Sequence, residues 1–133
     1  MSLIPGKYKL ENNENFVAFL KSLGVPEDNA TFADKLRPTV EVKVEGDKVE
    51  IISDSGVKNT HQIYILGKEC DDPLPTEHIA KSVAKIEGNK ILVHTKCAEL
   101  NIDGNRTYDF TNDGFVLTYH NKSGDSKRIF KRI

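Results

Sequence analysis

The chain has 133 residues, a net charge of −1, no Trp and 8% aromatic residues. Phosphate binding needs a clustered basic excess and base stacking needs an aromatic platform, so no nucleic-acid partner is expected. One domain spanning 1–133 is expected at this length, and it buries enough surface to need neither a disulfide nor a metal staple.

The opening, Met1-Ser2-Leu3-Ile4-Pro5-Gly6-Lys7, has no apolar core of signal-peptide length. The longest strongly apolar run, Phe16 to Leu20, is far too short to cross a bilayer. A cytoplasmic protein is the expectation. Cys70 and Cys97 fit no metal or redox spacing and read as reduced, structural thiols.

Residues 6–12 read as a first strand. The period then changes: Phe16, Phe19, Leu20 and Leu23 lie at i, i+3, i+4 and i+7, one face of a helix, and Gly24 is placed to cap its C-terminus. Pro26, Glu27 and Asp28 start a second helix, because Pro suits a first helical position and acids favour the positive dipole end. Phe32, Ala33 and Leu36 form its apolar face, and Arg37-Pro38 ends it. Beyond Pro38 the period is two: Val40, Val42 and Val44 alternate with Glu41, Lys43 and Glu45. Glycine-centred turn signals at Gly46, Gly56, Gly67, Gly88, Gly104, Gly114 and Gly124 divide the rest of the chain. They leave strands near 48–54, 58–66, 78–87, 90–97, 105–111, 115–121 and 126–132, with a short strand before the link marked by Pro73 and Pro75. Short strands at spacings of about 8–12 residues read as an antiparallel meander closed into a barrel or sandwich. Two short helices inserted once cannot build a core of their own, but they can close one end of a barrel.

Several strands are less cleanly two-faced than a solid core demands. Lys58, Thr60, Gln62 and Tyr64 share one face and Asn59, His61, Ile63 and Ile65 the other. Ala80, Ser82 and Ala84 are small and share a face, as do Arg106, Tyr108 and Phe110, and Arg128 and Phe130. Polar or small side chains on an inward face predict a partly wet cavity. A solid barrel with ordinary surface polar residues is the alternative.

Gly6-Lys7-Tyr8-Lys9-Leu10, Glu14-Asn15-Phe16 at a helix start, Leu23-Gly24-Val25, Arg37-Pro38, Gly46-Asp47, Lys58-Asn59-Thr60, Leu66-Gly67 with Glu69, Lys81-Ser82 and the ending Lys127-Arg128-Ile129-Phe130-Lys131-Arg132-Ile133 occur in that order. Together they resemble the intracellular fatty-acid-binding proteins, cytosolic lipid-binding members of the calycin group, over nearly the whole chain. The ending and Gly24-Val25-Pro26-Glu27 are similar to the liver-type branch, while Glu41-Val42 after Pro38-Thr39 is similar to invertebrate members. The resemblance implies an all-β fold: a ten-stranded antiparallel up-and-down barrel, the β-clam, with a helix-turn-helix lid at about 15–36. It implies a carrier that binds a long-chain fatty acid or similar lipid non-covalently inside, and not an enzyme. A retinoid, bile salt, carotenoid or other amphiphile is the alternative ligand. An enzyme acting on a hydrophobic substrate is a more distant one, because the chain has no Gly-x-Ser-x-Gly elbow, phosphate loop or paired nucleophile signature. A monomer with transient membrane contact is expected.

Many members of that family hold the ligand carboxylate with two Arg and a Tyr. Arg128 matches the last Arg, and the Tyr two residues later is replaced by Phe130. Either Arg106 or Tyr108 falls near the position of the other Arg. A buried carboxylate needs a partner, and Arg supplies a planar fork that stays protonated. The other reading of Arg128 is a charged surface strand, though parity separates it from Lys127 and Lys131. Phe16, Val25, Phe32, Val57 and Lys58 sit where the family has its portal, His78 lies where some relatives carry a basic residue inside, and Tyr119 is a further candidate in the cavity. Helix-to-barrel packing is the plainer role for Phe16 and Phe32. His61, His78, His94 and His120 are scattered without ligand spacing, so neither a metal nor a cofactor is expected.

Overall fold

The computed structural model describes residues 3–74, 76, 78–121 and 124–133. Pro75 in the expected link, Ser123 in the last expected turn, and Lys122 lie outside the described residues.

Ten antiparallel strands form one sheet: β1 (Gly6–Glu14), β2 (Thr39–Glu45), β3 (Lys48–Asp54), β4 (Asn59–Ile65), β5 (Cys70–Pro73), β6 (Ile79–Glu87), β7 (Lys90–Cys97), β8 (Ile102–Phe110), β9 (Gly114–Asn121) and β10 (Gly124–Arg132). Their order is β4-β3-β2-β1-β10-β9-β8-β7-β6-β5, so sequential strands pair and β1 meets β10. The result is an up-and-down barrel closed everywhere except between β4 and β5. Side chains bridge that gap: Gln62 Nε2 donates to the Asp71 carbonyl at 3.1 Å and Tyr64 Oη donates to Asp72 Oδ2 at 3.0 Å.

The helices α1 (Phe16–Ser22) and α2 (Glu27–Lys35) interrupt the meander once, between β1 and β2. α1 ends in a double closure, with Gly24 N–H donating to the Lys21 carbonyl at 3.0 Å and Val25 N–H to the Leu20 carbonyl at 3.1 Å. This geometry needs a left-handed residue, and Gly24 supplies it at φ 97°. Pro26 stands just before α2 rather than inside it, with extended ψ 148°. Phe16, Phe19, Leu20, Leu23, Val25 and Ala30 make a small apolar cluster of their own beneath the lid, with Tyr119 of β9 packed against it.

The bottom of the barrel is solid. Tyr8, Phe110, Phe115, Tyr108 and Phe130 pack ring on ring, with Phe115 and Phe130 stacked at 4.4 Å. Such pairs add about 0.5–1.5 kcal/mol beyond their area. Arg132 fastens this end. Its guanidinium lies 4.8 Å from the Tyr8 ring and donates to the carbonyls of Leu3 at 2.7 Å and Thr111 at 3.1 Å.

Two local readings are corrected. Asp103-Gly104-Asn105 is not a turn; it lies inside β8, and the reversal is made earlier by the short 3-10 turn Ala98–Leu100 with Asn101 left-handed at φ 54°. Gly104 is needed for closeness instead: a Cβ there would meet the His120 carbonyl oxygen at 2.8 Å and Asn121 Cβ at 2.9 Å. The first strand runs on to Glu14 and carries a bulge between Leu10 and Asn12. The extra residue reverses the strand's parity. Asn13, not Asn12, therefore lies opposite Arg128 and shares the inward face.

Candidate functional site

Between lid and solid floor lies a cavity of about 540 Å³, inside the range of about 300–1,000 Å³ usual for small-molecule sites. Its walls are mostly apolar: Phe16, Leu20 and Leu23 from the lid, Val40 and Ile51 from β2 and β3, and Phe115, Leu117 and Phe130 from β9 and β10. Polar groups enter from β4, whose inward face is the polar one. Thr60, Gln62 and Tyr64 line the cavity while Ile63 is 40% exposed outside. The barrel is thus hollow and partly polar, not solid.

Two arginines reach this space, in different settings. Arg106 forms an ion pair through Nη2 with Asp72 Oδ2 and donates to Tyr64 Oη at 3.0 Å. Asp72 Oδ2 also accepts from Ser82 Oγ at 2.8 Å, and Ser82 and Thr95 hydroxyls are 2.8 Å apart. β5, β4, β6, β7 and β8 each contribute one member of this cluster. Burial pushes the Tyr64 hydroxyl far above the ordinary phenol range, against the opposing pull of Arg106, so it stays a neutral donor. Burial likewise pushes Tyr108 up to about 12, again opposed by Arg106.

Arg128 has no such counterion. Its Nε donates to Asn13 Oδ1 at 2.9 Å, and its guanidinium lies 4.2 Å from the Phe16 ring and 5.6 Å from the Phe130 ring. No carboxylate of the described residues is within ion-pair distance of it. Asn13 in turn donates to Asp34 Oδ1 of α2 at 3.1 Å. Arg128 therefore touches α1 directly and α2 through one amide.

Among the residues singled out from sequence, Arg106, Tyr108, Tyr119, Arg128, Phe130, Phe16 and Lys58 line this cavity. Val25 is buried within the lid cluster instead, and Phe32 and Val57 are 56% and 64% exposed. His78 lies outside the lining, half-buried, with Nδ1 3.2 Å from Thr76 Oγ1 and Nε2 3.6 Å from Glu99. Asp72 and Asn13 are not legible as site residues in the sequence. The first sits in a four-residue strand too short to show a period, and the second is turned inward by the bulge.

Residues 1–113 match the model of the lipocalin / cytosolic fatty-acid binding protein family. The chain belongs to that family. It is 35% identical over 133 residues to the fatty acid-binding protein of Tyrophagus putrescentiae, covering 99% of each chain. It is 32% identical over 138 aligned positions to the liver-type fatty acid-binding protein of Epinephelus coioides, covering 98% of this chain and 99% of the relative. The crystal structure of the fatty-acid-binding protein in brain tissue of Drosophila melanogaster superposes with TM-score 0.88 at 29% identity, over 97% of this chain and 98% of that one. Near-equal identity to the Tyrophagus putrescentiae protein and to a liver-type relative matches the mixed branch signals in the sequence. The family is one of lipid-binding carriers, and no helix among the described residues is long and apolar enough to cross a membrane.

Proposed function

We propose that this protein is a cytoplasmic, monomeric carrier of long-chain fatty acids, without catalytic activity, and that its ligand lies in the barrel with the carboxylate on Arg128. The observation that carries the reading is the contrast between the two arginines: Arg106 has its carboxylate within the protein, and Arg128 has none among the described residues. Beside a mostly apolar wall, an uncompensated guanidinium invites one anion. Its fork binds both oxygens of a carboxylate. The apolar chain adds about 0.8 kcal/mol per buried methylene before the costs of association and ordering.

Phe130 cannot donate to that carboxylate. Tyr108 supplies a hydroxyl in its place. Tyr108 pairs with Leu117, and Leu117 pairs with Arg128, so the two polar side chains stand in one row across the inner wall. The lid helices gate access to the cavity, which Lys58 also lines. Membrane contact is transient. Relatives named as fatty acid-binding proteins favour a fatty acid over other amphiphiles.

Native mass spectrometry of the purified protein, followed by calorimetry with saturated acids of increasing length, tests this. Retained fatty acid is expected, with affinity rising until the cavity is full. No heat and no displacement of a fluorescent lipid by any acid refutes the carrier reading. Turnover of lipid esters refutes the absence of catalysis.

A further inference from the structure

The Arg106 cluster offers something other than a second anion site. Arg106 and Asp72 sum to zero charge, and Asp72 repels a carboxylate that approaches it. Yet the pair is not chemically closed. The Asp72 side chain is only 9% exposed, and its three hydrogen bonds, from Tyr64, Ser82 and Arg106, all arrive at Oδ2. None of the described residues donates to Oδ1, although a carboxylate oxygen has about two acceptor positions. Arg106 likewise uses only Nη2, towards Tyr64, Asp72 and Thr95. Its Nε and Nη1 meet no acceptor among the described residues. No fully buried side-chain nitrogen or oxygen of the described residues lacks a partner, so these atoms are open to the cavity that both residues line.

An acceptor beside donors, with no net charge, complements a neutral group that both donates and accepts. A hydroxyl is the smallest such group. An amine cation would face Arg106, and a second carboxylate would face Asp72. We propose that the Arg106–Asp72 pair is a hydroxyl-binding subsite, and that it makes the cavity selective for long-chain fatty acids bearing a hydroxyl away from the carboxylate. This rests on the fatty-acid reading above and specifies its substrate class: Arg128 takes the carboxylate, Asp72 Oδ1 accepts from the hydroxyl, and Arg106 donates to it.

The sign of the effect is decisive, because a hydroxyl buried without a partner weakens binding. Calorimetry on the wild-type protein would compare stearate with a series of monohydroxystearates, the hydroxyl moved stepwise along the chain. At the matching position the hydroxy acid is expected to bind about tenfold more tightly, the scale of one charged hydrogen bond. The methyl ether of that isomer, which cannot donate, is expected to lose the gain. Asp72→Asn keeps an oxygen for Tyr64, Ser82 and Arg106 but leaves Arg106 unneutralised. In that variant the hydroxyl preference is expected to shrink and affinity for a long-chain α,ω-dicarboxylate to rise. If the variant does not fold, the alcohol-against-ether comparison on wild type still decides. Stearate binding with no isomer gaining, or an ether as good as the alcohol, overturns this proposal and leaves the carrier reading intact. Binding of neither stearate nor any hydroxystearate overturns both.

Discussion

Removing the guanidinium of Arg128 separates charge recognition from burial. Its Nε is engaged by Asn13 at 2.9 Å, which leaves the two terminal nitrogens for a ligand. A hydrogen bond to a charged group is worth about 1.5–3 kcal/mol net, and part of that is lost because the solvated arginine of the free protein is also stabilised. Arg128→Ala should therefore weaken a long-chain acid by about 1–3 kcal/mol, roughly 5–150-fold in Kd. The matching fatty alcohol brings no charge to pair with the guanidinium, only a hydroxyl that accepts a hydrogen bond from it, so its loss should be smaller than that of the acid. The alanine also removes the guanidinium from the faces of Phe16 and Phe130, at 4.2 and 5.6 Å, which loosens packing for both ligands alike. Arg128→Met keeps most of that contact while deleting the charge, so it isolates the electrostatic part. The assay is isothermal calorimetry of acid and alcohol against wild type and both variants, read as the acid-to-alcohol affinity ratio. A ratio unchanged in Arg128→Met would refute the reasoning: the carboxylate would then be held elsewhere and Arg128 would be a lid contact.

Replacing residues 15–36 by a short Gly/Ser linker should leave a β-type far-UV spectrum and speed ligand exchange in stopped-flow, because the lid cluster is separate from the barrel's main core; loss of the β spectrum would show that the lid holds the barrel. Arg106→Met should cost about 2–4 kcal/mol in denaturant unfolding by stranding the Asp72 carboxylate, and adding Asp72→Asn should recover part of it. Additive losses in that cycle would mean that the pair is not coupled. Gly104→Ala should cost about 1–3 kcal/mol, since the new methyl meets the His120 carbonyl oxygen at 2.8 Å; a melting temperature equal to wild type would contradict the close approach.

The strand count, the interruption by two helices and the capping by Gly24 can all be read from the order of the residues. They depend on short-range periodicity and on the few residues that tolerate a left-handed backbone. Tertiary closure decides which face looks inward and what meets there. In β4 the alternation of Thr60, Gln62 and Tyr64 with His61 and Ile63 shows two faces but no direction. Closure of the barrel turns the polar one in, because the neighbouring wall supplies Asp72 and Asp71 as partners. Asn13 reaches Arg128 through a bulge, a one-residue shift with no sequence mark of its own in this strand. Gly104 resembles a turn glycine because composition does not distinguish a need for positive φ from a need for closeness. The Arg106–Asp72 pair joins residues 34 apart in sequence. No local pattern signals that contact: a carboxylate's burial is offset only by a partner that the closed barrel brings to it.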